Sequence, residues 1–164
     1  MTTSSLRMRQ LVDWRAAFWA GLLAGAVFLL VNLFVTPLVI GGNGWVMVRL
    51  FASIMLGEGV LAPPATFDVL ALVVALITHF TLAVAYSLLI AYIIHRGGLI
   101  AGIIGGALLG LALYSINFYT LTFFFPWFFA MRSGVFVVAH LLFGALAGGI
   151  YEALEVETFV PTEA

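Results

Sequence analysis

Four charge-free stretches decide what this chain can fold into. They run over 16–48, 69–95, 97–131 and 133–151. A bilayer core about 30 Å thick needs ~20 apolar residues of helix, each rising about 1.5 Å. Every stretch reaches that length, the last one narrowly. A lone strand in hydrocarbon leaves its backbone groups unpaired, whereas a helix pairs them within itself. The spacing predicts an all-α fold, an integral membrane four-helix bundle. Composition agrees: 65% of residues are hydrophobic and 8% charged, against roughly 25% charged in a water-soluble domain. A soluble globular fold is excluded, and so is disorder, which needs low hydrophobicity and high net charge.

Other function classes fall on the same grounds. A formal net charge of −1 supplies no basic patch, so nucleic-acid binding has no electrostatic footprint. Cysteine is absent, which removes disulfides, thiolate catalysis, iron–sulfur clusters and c-type haem attachment. All six cations are arginines, so a lysine Schiff base is impossible. No Gly-rich loop follows a strand, and no nucleophile, base and orienting group fall together. A non-enzymatic protein is the expectation.

The helices are expected at about 15–37, 67–94, 97–123 and 132–154. Pro37 and the glycine cluster from Gly41 to Gly44 end the first. Pro63-Pro64 precedes the second, with Thr66 and Asp68 placed to cap it. Gly97-Gly98 opens the third and Phe125-Pro126 closes it. The first apolar run is too long for a signal-peptide core and reads as a retained helix. Residues 45–56 are apolar but too short to span, which suggests an interfacial or re-entrant segment. Arg7, Arg9, Arg15 and Arg96 fall on one side, Arg49 and Arg132 on the other. The positive-inside rule then puts both termini in the cytoplasm. Residues 1–14 form the N-terminal segment and 155–164 an acidic tail. Trp14 and Trp19 mark one boundary, Trp45 and Trp127 the other.

Small residues recur at helical spacing. Gly98, Gly102, Gly106 and Gly110 form one stripe, Gly21 and Gly25 a second, Gly144 and Gly148 a third. Such stripes let helix backbones approach closely in lipid. They serve either packing within the bundle or a face for another membrane subunit. The run from Ala20 to Ala26 echoes that from Ala101 to Ala107, which suggests a parallel two-helix duplication.

The polar residues inside the runs carry any chemistry. His79 and His140 lie on the second and fourth helices, which run the same way. Both sit roughly 10–16 Å from the far boundary at 1.5 Å per residue. Small neighbours flank them, Ala83 and Gly144. Four uses stay open: interhelical hydrogen bonds, axial ligation of a haem b, metal binding, and proton or solute handling. Without a carboxylate nearby, two histidines make a poor zinc set. Asn32 and Asn117 fall in the same half of the first and third helices. Intramembrane polar groups are costly and face a partner or a wet cavity. Asn32, His79, Asn117 and His140 therefore form either one polar nest or four separate satisfied groups. His95, beside Arg96, is expected to be a solvated interfacial residue.

Several segments together resemble a known group. They are the stretch from Leu56 to Leu61, that from Pro63 to Asp68, Thr78-His79-Phe80 with Tyr86, Asn117-Phe118-Tyr119 with the stretch from Phe125 to Phe128, and the stretch from Ala139 to Gly144. They resemble a family of uncharacterised bacterial four-helix inner-membrane proteins, some labelled sodium:proline symporter, and are distantly similar to YagU-like membrane proteins. The resemblance covers about 45–155. It implies a bacterial inner-membrane location and brings no established activity. Surplus stripes and the lack of a catalytic set point to association. On that expectation the chain is an accessory or assembly subunit of a larger inner-membrane complex, respiratory ones included, or a homo-oligomer. The alternative is a small cofactor or transport protein built on the polar nest, in its sharpest form a bis-histidine haem b protein using His79 and His140.

Overall fold

The computed structural model describes residues 8–161. Strand β1 (Met8–Leu11) leads into α1, a continuous helix over Trp14–Ile40. A short helix α2 follows over Gly44–Leu56. Then come α3 (Val69–Ile94), α4 (Gly98–Phe123) and α5 (Gly134–Leu154), and strand β2 (Thr158–Pro161) closes the chain. Helices α1, α3, α4 and α5 are long and apolar enough to cross a membrane. The fold is the expected all-α membrane bundle.

Local chemistry sets the ends. Asp13 caps α1, its Oδ1 accepting the Arg15 and Ala16 amides at 3.0 Å. Asn43 caps α2 through the Trp45 and Val46 amides, and Asp68 caps α3 through Ala71. Each removes a donor that a helix start leaves orphaned. Pro37 does not end α1, contrary to expectation. The helix widens into a π-turn at Val31–Val35 and resumes over Thr36–Ile40 with the proline in its first turn. A proline there loses no hydrogen bond that the helix start would have made. The break comes at Gly41, whose φ of +86° only glycine adopts easily. Helix α4 repeats this design, with a π-turn at Ile116–Thr120.

The spans pair as two hairpins, α1 with α3 and α4 with α5, and α1 against α5 joins them. Glycines set both hairpin seams. A Cβ on Gly106 would run into Gly144 O, on Gly110 into His140 O, and on Gly148 into Gly102 O. Across the other seam, a Cβ on Gly21 would lie 2.8 Å from Val84 Cα, and one on Gly25 2.7 Å from Ala83 Cβ. Ser87 crosses the same seam, its hydroxyl donating to Ala17 O at 2.9 Å. Apart from Gly98, the stripes are spent on contacts inside the bundle. Gly98 is a correction: a Cβ there would meet nothing within 4 Å, and the residue sits at φ +71°, a turn glycine at the entry to α4.

The hairpins correspond in detail. Asn32 is the second residue of one π-turn and Asn117 of the other. Aligned on them, Gly21 matches Gly106 and Gly25 matches Gly110, one helical turn away from the echo visible in sequence. This supports the parallel duplication.

Helix α2 is a buried part of the bundle. Met47 and Leu50 pack with Tyr114, Phe118 and Phe136, while Val48 and Ala52 pack with Ala71 and Ala75. Arg49 ties down the segment after it, donating to Val60 O, Ala62 O and Thr66 O. Trp127 anchors the other connection, donating to Ser53 Oγ at 2.9 Å. At the opposite end β1 and β2 form an antiparallel ribbon. The two terminal segments thus meet at one end of the bundle, as an even number of spans requires. Residues 1–7 and 162–164 of those segments lie outside the described residues.

Two outcomes test this packing. Gly144→Ala should lower stability in detergent by about 1–3 kcal/mol, the usual cost of overpacking. Gly105→Ala, whose Cβ would meet Ile94 Cγ2 at an ordinary 3.5 Å, should stay within about 0.5 kcal/mol. Unfolding titrations of the two variants separate these results. Asp13 gives a pH signature. Bonds from the Ala16, Val156 and Arg15 amides hold its carboxyl below the ordinary value of 3.8, against a smaller opposing effect of burial. A depressed folded pKa means the stabilisation is present above that ordinary value and is lost as pH falls through the lower one. The protection of the Val156 amide against exchange, relative to its intrinsic rate at each pH, should therefore fall below about pH 3.8, and Asp13→Asn should erase that step.

Candidate functional site

A cavity of about 210 Å³ lies in the half of the bundle away from the ribbon. Helix α3 contributes Thr78, His79 and Tyr86, α4 contributes Asn117, and α5 contributes His140. Phenylalanines from α1, α2, α4, α5 and the α4–α5 connection complete the wall, among them Phe28, Phe51 and Phe118. Three of the four expected nest residues, His79, Asn117 and His140, thus share one chamber.

Asn32 is the exception. It is fully buried, donates Nδ2 to Phe28 O at 2.8 Å, and accepts from Thr36 Oγ1. A π-turn leaves a helix carbonyl short of its usual amide, and Asn32 serves its own helix. It is a structural residue and no part of the cavity wall.

The other polar groups form a directed network. Tyr86 donates its hydroxyl to Asn117 Oδ1 at 2.8 Å, bridging α3 and α4. Asn117 Nδ2 then reaches His140 Nε2 at 3.2 Å. His140 Nδ1 lies 2.8 Å from Phe136 O. A carbonyl only accepts, so His140 carries its hydrogen on Nδ1, and Nε2 accepts from the amide. Every member is satisfied, as a buried polar network must be. Sequence reasoning missed Tyr86 as a member. Its signal was a tyrosine near the depth of Asn117, too generic to stand out among membrane aromatics.

His79 stands apart from this network. Its Nε2 donates to Gly25 O at 2.9 Å across the α1–α3 seam. Phe28 stacks on its ring at 5.8 Å and 19°, and meets the His140 ring edge-on at 5.0 Å. Thr78, beside it, is 7% exposed, and its hydroxyl has no hydrogen-bond partner. Leaving a buried polar group unpaired costs about 1–3 kcal/mol.

The geometry bears on the ligand readings. Bis-histidine haem binding needs two free ring nitrogens facing each other across a porphyrin. Both Nε2 atoms are engaged, and Phe28 packs against both rings, so the residues as placed do not fit that group. Among the described residues, no cluster of three or more metal-ligating side chains forms. His95 departs from expectation in being buried, its Nδ1 on Tyr92 O and its Nε2 accepting from Arg96.

No protein-family model, curated protein or solved structure matches this chain.

Asn117→Leu should leave the Tyr86 hydroxyl and His140 Nε2 unpaired and cost about 1–3 kcal/mol. Tyr86→Phe removes one bond and leaves a single acceptor, Asn117 Oδ1, without its donor, so it should cost less than Asn117→Leu, about 0.6–1 kcal/mol. A double-mutant cycle on the pair should show non-additivity, since Tyr86 gains nothing once its acceptor is gone.

Proposed function

We propose that this integral membrane protein binds a small, largely apolar molecule in the chamber between its two hairpins. The carrying observation is the convergence of His79, Asn117, His140, Tyr86 and Thr78 on one phenylalanine-walled cavity. Concave apolar sites with a few placed polar groups are the usual form of small-molecule pockets. A dry apolar cavity of about 150 Å³ is known to take up benzene, so the volume here suits a molecule of one or two rings. Size and polarity also match a compound that dissolves in a bilayer.

An assembly role drew its argument from small-residue stripes left over for a partner. Gly102, Gly106, Gly110, Gly144 and Gly148 are spent on the α4–α5 seam, and Gly21 and Gly25 on the α1–α3 seam. Ligand binding is the reading that the remaining geometry supports best.

Naphthalene provides a simple probe. In nanodiscs carrying the protein, equilibrium dialysis should show one saturable site above the partition into empty discs. Leu82→Trp places a larger side chain in the cavity wall and should remove that site while the helix content, followed by circular dichroism, is retained. Uptake equal to that of empty discs would sink the proposal.

A further inference from the structure

We infer that the cavity selects a ring-borne hydroxyl, a phenol or quinol, which donates to His79 Nδ1 beside the Thr78 hydroxyl. This rests on the binding reading above and names the ligand class for it.

The argument begins with the tautomer. Gly25 O can only accept, so the neutral His79 ring carries its hydrogen on Nε2. Nδ1 is then a bare acceptor, and no protein group among the described residues donates to it. One residue earlier, Thr78 Oγ1 is shielded and unpartnered. A helical threonine commonly turns its hydroxyl onto the carbonyl four residues back. Ser115 does so on Leu111 O at 3.1 Å, and Thr78 does not. His79 and Thr78 both line the cavity, the first with an unused acceptor and the second with a shielded, unpartnered hydroxyl.

The remaining polar groups leave little choice of anchor. Tyr86, Asn117 and His140 are committed to one another. The vacant acceptor calls for a ligand group that donates to Nδ1, and a hydroxyl does so; its oxygen can also accept from Thr78 once that shielded side chain rotates toward the cavity. A ketone or ether oxygen would face the Nδ1 lone pair with its own. An ammonium group would have to shed its water in a chamber without a carboxylate. The aromatic wall specifies the rest of the molecule. Phe28 and Phe51 lie within 5.8 Å and 5.0 Å of the His79 ring, and a planar ring can pack among such faces in offset or edge-on geometry.

A matched series tests this. Naphthalene, 2-naphthol and 2-methoxynaphthalene share one skeleton and differ in the donor. Dialysis against nanodiscs, with empty discs correcting for partition, should show 2-naphthol binding about tenfold tighter than the other two. His79→Phe should bring the three compounds to the same affinity. Thr78→Val, which preserves shape, should shrink the preference and serves if the histidine variant does not fold. Equal binding of all three to the wild-type protein would overturn the hydroxyl inference and leave the cavity reading standing. A preference shared by 2-methoxynaphthalene would overturn it too, since that oxygen has no hydrogen to give. Binding of none above empty discs would end both.

Discussion

Backbone contact between glycines organises the whole molecule. In lipid no hydrophobic force draws helices together, so close packing and interhelical polar contacts must do it. Here the small residues crowd into the half nearer the ribbon. Gly102 meets Gly148, Gly106 meets Gly144, and Ala17 faces Ser87. Toward the other end the same seams carry Phe28, His79, Asn117 and His140. Side chains of that size cannot share the backbone spacing that glycines permit. Helix α2, too short to span, fills part of the remaining volume with Met47 and Leu50. The cavity is what remains, so it follows from where the glycines stop.

The two π-turns belong to the same geometry. Each comes where a helix leaves its glycine stripe, at Val31–Val35 and at Ile116–Thr120. Inserting a residue changes which side chains face inward beyond that point. Asn117 is thereby available to His140 and Tyr86 across two interfaces. In α1 the matching asparagine turns back onto its own helix. Wide turns of this kind are frequent at functional sites, and here only one of the pair lines a chamber.

Much of this was legible in the sequence. Charge-free runs located all four spans because hydrocarbon tolerates few charges, a rule that acts residue by residue. The glycine stripes and the intramembrane histidines were visible for the same reason. What sequence could not settle was which stripe meets which. Gly106 against Gly144 and Gly106 against a second protein leave the same trace in one dimension. Pro37 was misread because a proline ends a helix only where an amide is needed, and the π-turn removes that need. The β ribbon escaped notice because Met8–Leu11 and Thr158–Pro161 lie far apart in the chain and are too short to show an alternating pattern.

The two hairpins use their matching asparagines and histidines differently. In the first, Asn32 is satisfied by Phe28 O and Thr36, and His79 spends one nitrogen on Gly25 O. In the second, the corresponding asparagine reaches between helices, and His140 uses both nitrogens. Both nitrogens of His140 being occupied, it holds the chamber's shape and has no hydrogen-bonding capacity to spare. His79 keeps one nitrogen in reserve on the opposite wall. The chamber thus has one wall closed in hydrogen-bonding terms and one wall open. A bound molecule would find a single preferred orientation, with its polar end toward α3 and its apolar body among the phenylalanines.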